Sequence, residues 1–465
     1  MNKLFVFLML FAWDSIQAVD KPIIIIIFTD DQGYADLSCF GGKHVSTPHI
    51  DKLAAEGNRL TSFYVASPLC TPSRAALMTG SYPKRIDMGT GSDFAVLLAG
   101  DKKGLNPKEV TIAEILKEQG YATGMFGKWH LGDQPEFLPT RQGFDEFYGI
   151  PYSHDIHPNH PRQKHFNFPP LPFLDGEKVI EEDPDADFLT TRFTDKAVQF
   201  IGKNKDKPFF IYLPHPIPHG PIHVSPESMK TVDPKIREAL KKEKKSGKID
   251  YKLRVKMYKQ AITDIDNSVK AIVDALQKNG LDEKTIIIFT TDNGPSAGGK
   301  ATPLKGKKGQ TWEGGQRVPA FVRWPGKIPA GQVCDEILTS MDLLPTFTKL
   351  AGGKLPENKI DGKDIMEVLK GKAKSPHKYF YYYSHTTVHM DAIRGGKWKL
   401  RMKDFQPTEL YNLEADISEK TNVIKDHPEV VSNLLNAAKE FDAEISANIR
   451  PAAFVENPVA LKKAE

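Results

Sequence analysis

Cysteine is scarce in this chain: there are three in 465 residues, Cys39, Cys70 and Cys334. A disulfide-stapled fold needs a higher density, so stability must come from a buried core. Cys39 and Cys334 could pair, or each could be a small buried hydrophobe. Charge of one sign is also lacking. Lys and Arg number 63 against 59 Asp and Glu, a net +4, which gives no footing for nucleic acid. A locally basic pocket would still serve an anionic substrate. No Asn-x-Ser/Thr acceptor occurs, which leans towards a bacterial exported protein over a glycosylated lysosomal one. There is no internal repeat, no disordered bias and no apolar run long enough to span a bilayer. The Gly-rich basic stretch 305–315 lacks the spacing of a phosphate-binding P-loop.

Residues 1–18 read as a secretory signal, with Lys3 in front, an apolar run over 4–13 and Ala18 before the cleavage point. An uncleaved amphipathic anchor is the alternative. The expectation is an exported protein, periplasmic or secreted, without a membrane span. The length predicts a large domain and a smaller one.

Residues 23–28 are Ile-Ile-Ile-Ile-Ile-Phe, a strand apolar on both faces, as in a parallel sheet covered by helices. Asp30 and Asp31 follow it directly, and adjacent carboxylates repel unless something positive lies between them. A divalent cation with oxygen ligands would satisfy them. Thr47-Pro48 starts a helix, and Thr111-x-x-Glu114 is a capping box opening another. Further strands are expected over 121–126, 207–213 and 285–289, with a long amphipathic helix between the last two ending near Gly280. They end in Lys128-Trp129-His130, in the loop bearing His215 and His219, and in Asp292-Asn293. Lys128 and His130 would face one side if the chain there is extended. Ligands of parallel α/β sheets gather beyond the carboxyl ends of the strands, so these clusters predict one site. Residues 151–187 read as a long loop, and 235–252 as a basic solvated surface segment. From about residue 375 aromatic strands over 379–383 and 398–401 and a helix over 429–445 predict a separate α+β unit. The fold class is therefore α/β: a large, mostly parallel sheet sandwiched by helices over 19–374, plus a smaller C-terminal α+β subdomain with an antiparallel sheet over 375–465.

The organising stretch is Ser67-Pro68-Leu69-Cys70-Thr71-Pro72-Ser73-Arg74-Ala75-Ala76-Leu77-Met78-Thr79-Gly80. It puts Cys70 just ahead of a helix N-terminus, where backbone N–H groups favour an anion, with Arg74 one turn on. A lone cysteine there could be a thiolate nucleophile. Cys-x-Pro-Ser-Arg followed by an apolar helix and Thr-Gly resembles the maturation signature of the type I sulfatases, with the segment order of arylsulfatase A-like and galactosamine-6-sulfatase-like members. That resemblance implies oxidation of Cys70 to formylglycine by a maturase, the hydrated aldehyde being the nucleophile. It implies Asp30, Asp31, Asp292, Asn293 and the modified Cys70 as ligands of one divalent metal, calcium before magnesium. It also implies Arg74, Lys128, His130, His219 and Lys308 as catalytic residues, with Lys128, Ser153, His219 and Lys308 on the substrate. The implied activity is hydrolysis of an aryl sulfate or a sulfated carbohydrate. His154, His157 and His385 are candidate sugar contacts. The rival readings are a phosphate or phosphonate monoester hydrolase of the same superfold, and a non-catalytic binder of sulfated glycans.

Overall fold

The computed structural model describes residues 21–246, 248–385 and 388–464. The proposed signal over 1–18 lies outside them. Among the described residues the strands are β1 Ile23–Thr29, β2 Asn58–Tyr64, β3 Lys103–Gly104, β4 Ala122–Lys128, β5 Glu146–Ile150 and β6 Pro172–Asp175. They continue as β7 Lys178–Glu182, β8 Phe209–Pro214, β9 Thr285–Thr291, β10 Arg317–Arg323, β11 Gln332–Cys334 and β12 Leu338–Thr339. The C-terminal strands are β13 Tyr379–Tyr383, β14 Met390–Gly395, β15 Trp398–Lys403, β16 Gln406–Asn412 and β17 Ala453–Phe454.

The β1 strand is the centre of an 11-stranded sheet ordered β11-β2-β10-β9-β1-β8-β4-β5-β6-β7, with β12 beside β2. From β9 through β1, β8 and β4 to β5 the pairing is parallel, with Ile25 opposite Ile211 and Ile287. The continuous isoleucine run works because successive side chains point to opposite faces. Ile23, Ile25 and Ile27 pack with Phe193, Ile262, Ile265 and Ile272, on the helices Leu189–Lys203 and Tyr258–Lys278. Ile24, Ile26 and Phe28 pack on the other face with Ala75, Leu77, Ile112, Leu116 and Phe347. Those belong to the helices Cys70–Thr79, Ile112–Glu118 and Leu343–Ala351. Each such side chain taken from water contributes about 1.5–3 kcal/mol, which is how a chain without disulfides holds; all three cysteines are free thiols.

The mostly parallel sheet between helix layers and the separate antiparallel sheet are borne out. That second sheet, ordered β13-β14-β15-β16, packs its apolar face on the helix Pro428–Ala447 through Leu400, Leu410, Leu434 and Ala438. After this helix the chain returns to the large unit, where β17 pairs with β3. The loop expected over 151–187 contains the β6–β7 hairpin, which extends the sheet beyond β5. The basic segment forms a helix over Pro234–Ser246.

Candidate active site

The carboxyl ends of β1, β4, β8 and β9 meet at one edge of the sheet, and the predicted clusters meet with them. Asp30 and Asp31 leave β1, the latter at φ 65°, and Asp292 and Asn293 leave β9 beside them. The Asp31 N–H donates to Asp292 Oδ1 at 3.0 Å and Asn293 Nδ2 donates to Asp31 Oδ1 at 2.7 Å. Parallel pairing of β1 with β9, Thr29 opposite Thr291, puts these pairs side by side.

Cys70 is the first residue of its helix, one place further in than expected, and Gly80 closes that helix at φ 65° by donating its N–H to Ala76 O. The sulfur stands 3.7 Å from Asp30 Oδ1 and 3.4 Å from Lys308 Nζ. Arg74, fully buried, donates to Asp292 Oδ2 at 2.8 Å and to the Lys128 carbonyl at 3.2 Å. Lys128 Nζ lies 2.6 Å from Asp30 Oδ2, and Lys308 Nζ lies 2.7 Å from Asp31 Oδ1. Three fixed cations thus face three carboxylates. Burial works against ionising Asp30, but Lys128, His219, Arg74 and Lys308 together hold its carboxyl well below the usual range. Burial and the charge of Asp30 push Asp292 up to about 7, against the pull of Arg74. Burial pushes the unmodified Cys70 thiol up to about 12, against Lys128 and Lys308.

The two histidines are oriented by backbone carbonyls. Nε2 of His130 is 2.9 Å from Leu97 O, and a carbonyl only accepts, so Nε2 carries the proton and Nδ1 is the free lone pair. That Nδ1 is buried without a hydrogen-bond partner. Burial, with the charges of Lys128 and Arg74, keeps the ring neutral. The chain is not extended here: His130 has φ 66°, so a left-handed turn, and not strand alternation, brings Lys128 and His130 to the same centre. His219 donates from Nδ1 to Gly220 O at 2.6 Å, which turns Nε2 towards Asp31 Oδ2 at 3.8 Å. His215 points away, onto Ser268 Oγ of the long helix, and is structural.

Cys70, His130, Ser153, His219 and Lys308 line one cavity of about 260 Å³. Arg74 and Lys128 stand behind that lining, their charged ends on Asp292 and Asp30. Of the candidate sugar contacts, His385 lines the cavity. His154 does not: it is buried, its Nε2 on Pro221 O and its ring edge-on to His219. His157 faces a different cavity with Asp183, Asp187 and His223. Sequence reasoning missed Asp155, whose carboxyl is held down to about 2: burial opposes this, and His219 and His154 outweigh it. It also missed the wall formed by Phe94, Val96, Leu98, Phe166 and Phe168.

Lys308 is delivered by the Gly-rich basic stretch. A Cβ on Gly294 would lie 1.8 Å from Gly314 O, and one on Gly315 1.8 Å from Gln310 O, so Gly294 lets this loop press onto the Asn293 segment and Gly315 lets the loop fold on itself. The antiparallel sheet and the segment that follows it hold the loop from outside. Arg401 Nη1 donates to Thr311 O at 3.0 Å, the Glu313 N–H donates to Glu419 Oε2 at 2.8 Å, and Lys305 Nζ donates to Glu419 O at 3.1 Å.

The donor set fits a hard divalent ion. Asp30, Asp31, Cys70 and His219 offer atoms within 4.8 Å of one another, and Asn293 Oδ1 is a buried acceptor without a partner. The Lys308 ammonium already lies among these carboxylates, as a cation should. Asp292 has both oxygens engaged, by Arg74 and by the Asp31 N–H.

The family profile described as Sulfatase matches residues 22–353, and one described as N-sulphoglucosamine sulphohydrolase, C-terminal matches 307–443. Arylsulfatase A of Homo sapiens is 39% identical over 404 residues, 81% of this chain and 74% of that protein. N-acetylgalactosamine-6-sulfatase of Canis lupus familiaris is 35% identical over 404 residues, 82% of this chain and 72% of that protein. The crystal structure of Ps i-CgsB in complex with k-i-k-neocarrahexaose matches with a TM-score of 0.78 at 35% identity, over 94% of this chain and 95% of that chain.

Proposed function

The chain belongs to the sulfatase family, and from that premise we propose that it hydrolyses a sulfate ester on a sulfated saccharide through a formylglycine made from Cys70. The observation that carries this reading is the setting of Cys70: a side chain at a cavity floor, between the cation of Lys308 and the carboxylate of Asp30. A saccharide is favoured over a simple aryl ester because the similar Ps i-CgsB is described with a neocarrahexaose.

Asp30, Asp31, Asp292 and Asn293, with the side chain at position 70, would hold one divalent ion, calcium before magnesium because the cage is rich in carboxylate oxygen. Bound there, the ion would polarise the sulfate oxygens and offset the negative charge of the ester. Lys308 Nζ, in the cavity wall, binds a sulfate oxygen, and Ser153, in the same lining, orients the group. Lys128 and Arg74 add positive potential from behind the floor and fix Asp30 and Asp292. An Asp292 carboxylate oxygen accepts the proton released when the side chain at 70 attacks. His219 Nε2 or Lys308 Nζ gives a proton to the departing sugar oxygen, a poor leaving group as an alkoxide. The free Nδ1 of His130 takes the proton that lets sulfate leave. The route to this state is export and oxidation by a formylglycine-generating maturase, and no helix among the described residues is long and apolar enough to cross a membrane.

The experiment joins peptide mass spectrometry to sulfate release from a panel of defined sulfated saccharides. The expected result is an aldehyde or its hydrate at position 70 in active material, with sulfate released faster than phosphate from matched esters. Fully active protein carrying only thiol there would overturn the formylglycine step, and faster phosphate release would overturn the ester class.

A further inference from the structure

The mouth of the catalytic cavity carries a cation that the mechanism does not use. Arg162 lines both the cavity that contains Cys70 and a neighbouring one of about 320 Å³ that also reaches His219 and Lys308. Its guanidinium lies 4.8 Å from the centroid of Phe166 and 5.9 Å from that of Phe94. Phe166 is stacked on Phe168 at 4.8 Å, and His160 stands edge-on to both rings. The side chain is therefore steered by aromatic faces and not by an acid: among the described residues Arg162 makes no ion pair. Among the described residues, neither carboxylate that shares these cavities pairs with Arg162. Asp31 is bound by Lys308 and Asn293, and Asp155 Oδ2 lies 4.0 Å from His160 Nε2. A planar, exposed guanidinium held on rings, with its donor edge unclaimed, suits a planar or tetrahedral oxyanion.

We infer that Arg162, seated on Phe94 and Phe166, binds a second anionic group of the saccharide, so that the enzyme prefers polyanionic glycans over singly sulfated ones. This rests on the saccharide sulfatase reading above. The second group is a sulfate or a uronate carboxylate; both present the oxyanion edge that the guanidinium matches. The apolar wall of Val96, Leu98 and Phe168 would take the C–H face of the sugar ring between the two charges. The contact is remote from the reacting atoms, so its loss should raise KM more than it lowers kcat.

The test compares three disaccharides sharing one scissile sulfate: one with no other charge, one with a second sulfate, and one with a uronate. In wild type, kcat/KM should be higher for at least one of the dianionic substrates than for the singly charged one. Arg162→Ala should reduce that preference about tenfold, mostly through KM, and Arg162→Lys should restore part of it. The preference should shrink with added salt in wild type and lose that salt dependence in Arg162→Ala. A response to only one dianionic substrate identifies the second group. Sulfate release with an unaltered preference in Arg162→Ala overturns this inference and leaves the sulfatase reading standing. A wild type that releases sulfate from no saccharide overturns both.

Discussion

Two clusters of buried charge lie on either side of the Lys308 loop, and they are built to opposite ends. In one, Asp30, Asp31 and Asp292 meet Arg74, Lys128 and Lys308 at the sheet edge. In the other, Glu313 receives Tyr64 Oη at 2.5 Å, Tyr382 Oη at 2.6 Å and Lys399 Nζ at 2.9 Å, while Lys399 also reaches Glu419 at 2.8 Å. Arg394 closes this second network on Tyr64. It is sealed between the two sheets, and protein groups meet protein groups. The first opens on a cavity and leaves Asn293 Oδ1, Arg74 Nε and His130 Nδ1 buried without partners. Buried polar atoms are rarely left unpaired, so such a set marks where ligands belong. The sealed set is a clamp: the same Glu313 whose carboxylate is buried there holds the Lys308 loop to Glu419 by its backbone.

The largest contrast is between activity and stability. Cys70→Ala should lower sulfate release by at least about 10³-fold, since it removes the proposed nucleophile. Its unfolding midpoint in urea should stay close to that of wild type, because the site is not what holds the sheet. Retained activity, or a loss of stability as large as that of a clamp variant, would break the comparison. Lys399→Met is the counterpart. It leaves two buried carboxylates without their shared cation and should cost about 3–5 kcal/mol of unfolding free energy, with partial recovery in Lys399→Met/Glu419→Gln. A neutral Lys399→Met would mean that the second cluster is no clamp.

The open cluster was far more legible in the sequence than the sealed one. An isoleucine run followed by two aspartates reads as a buried strand ending at a polar site or a solvated turn, and the strand-end logic located Lys128, Asp292 and the loop bearing His215 and His219; the choice of His219 within that loop came from the resemblance. Lys308 was legible through the resemblance alone, since nothing local aims a lysine in a glycine-rich loop. The antiparallel part of the sheet was not legible. Asn58–Tyr64 mixes polar and apolar residues, and Arg317–Arg323 begins and ends in arginine around a proline, although its residues are all buried. The clamp had no signal either: Glu313 and Lys399 are 86 residues apart, and only the packing of two sheets joins them. The condition of an extended chain at His130 is not met, because a left-handed residue turns the strand end, which alternation cannot anticipate.

Divalent cation should separate the clusters again, by a smaller amount. Calcium binding to the open cluster should stabilise the fold by about 2.7 kcal/mol at a hundredfold excess over Kd. Asp31→Asn should abolish the response, whereas Lys399→Met, weakened as it is, should keep it. The chelated protein should remain folded, because Arg74, Lys128 and Lys308 already compensate the three carboxylates. A stability curve flat in calcium and magnesium would sink the metal site.

The smallest effect lies at an ion pair that is neither open to ligand nor sealed. Glu444, on the C-terminal helix, meets Arg85 Nη2 at 2.8 Å and Lys359 Nζ at 2.7 Å, and it joins that helix to the large unit. The Arg85 hydrogen bond, against some burial and with help from Lys359, holds its carboxyl down to about 2 from an ordinary 4.5. A depressed acid stabilises the fold fully above its unfolded pKa, and that contribution is lost as pH falls through the folded value. Glu444→Gln should therefore cost about 1 kcal/mol at neutral pH, discounted for solvent screening. The gap to wild type should narrow between pH 4.5 and about 2. Urea unfolding over that range reads it directly. Salt supplies the second axis: the Glu444 gap should shrink in high salt, while the cost of Lys399→Met, out of reach of counter-ions, should not. If both gaps answered to salt alike, the second network would be reached by solvent, and the distinction between a clamp and a ligand site would rest on the cavity alone.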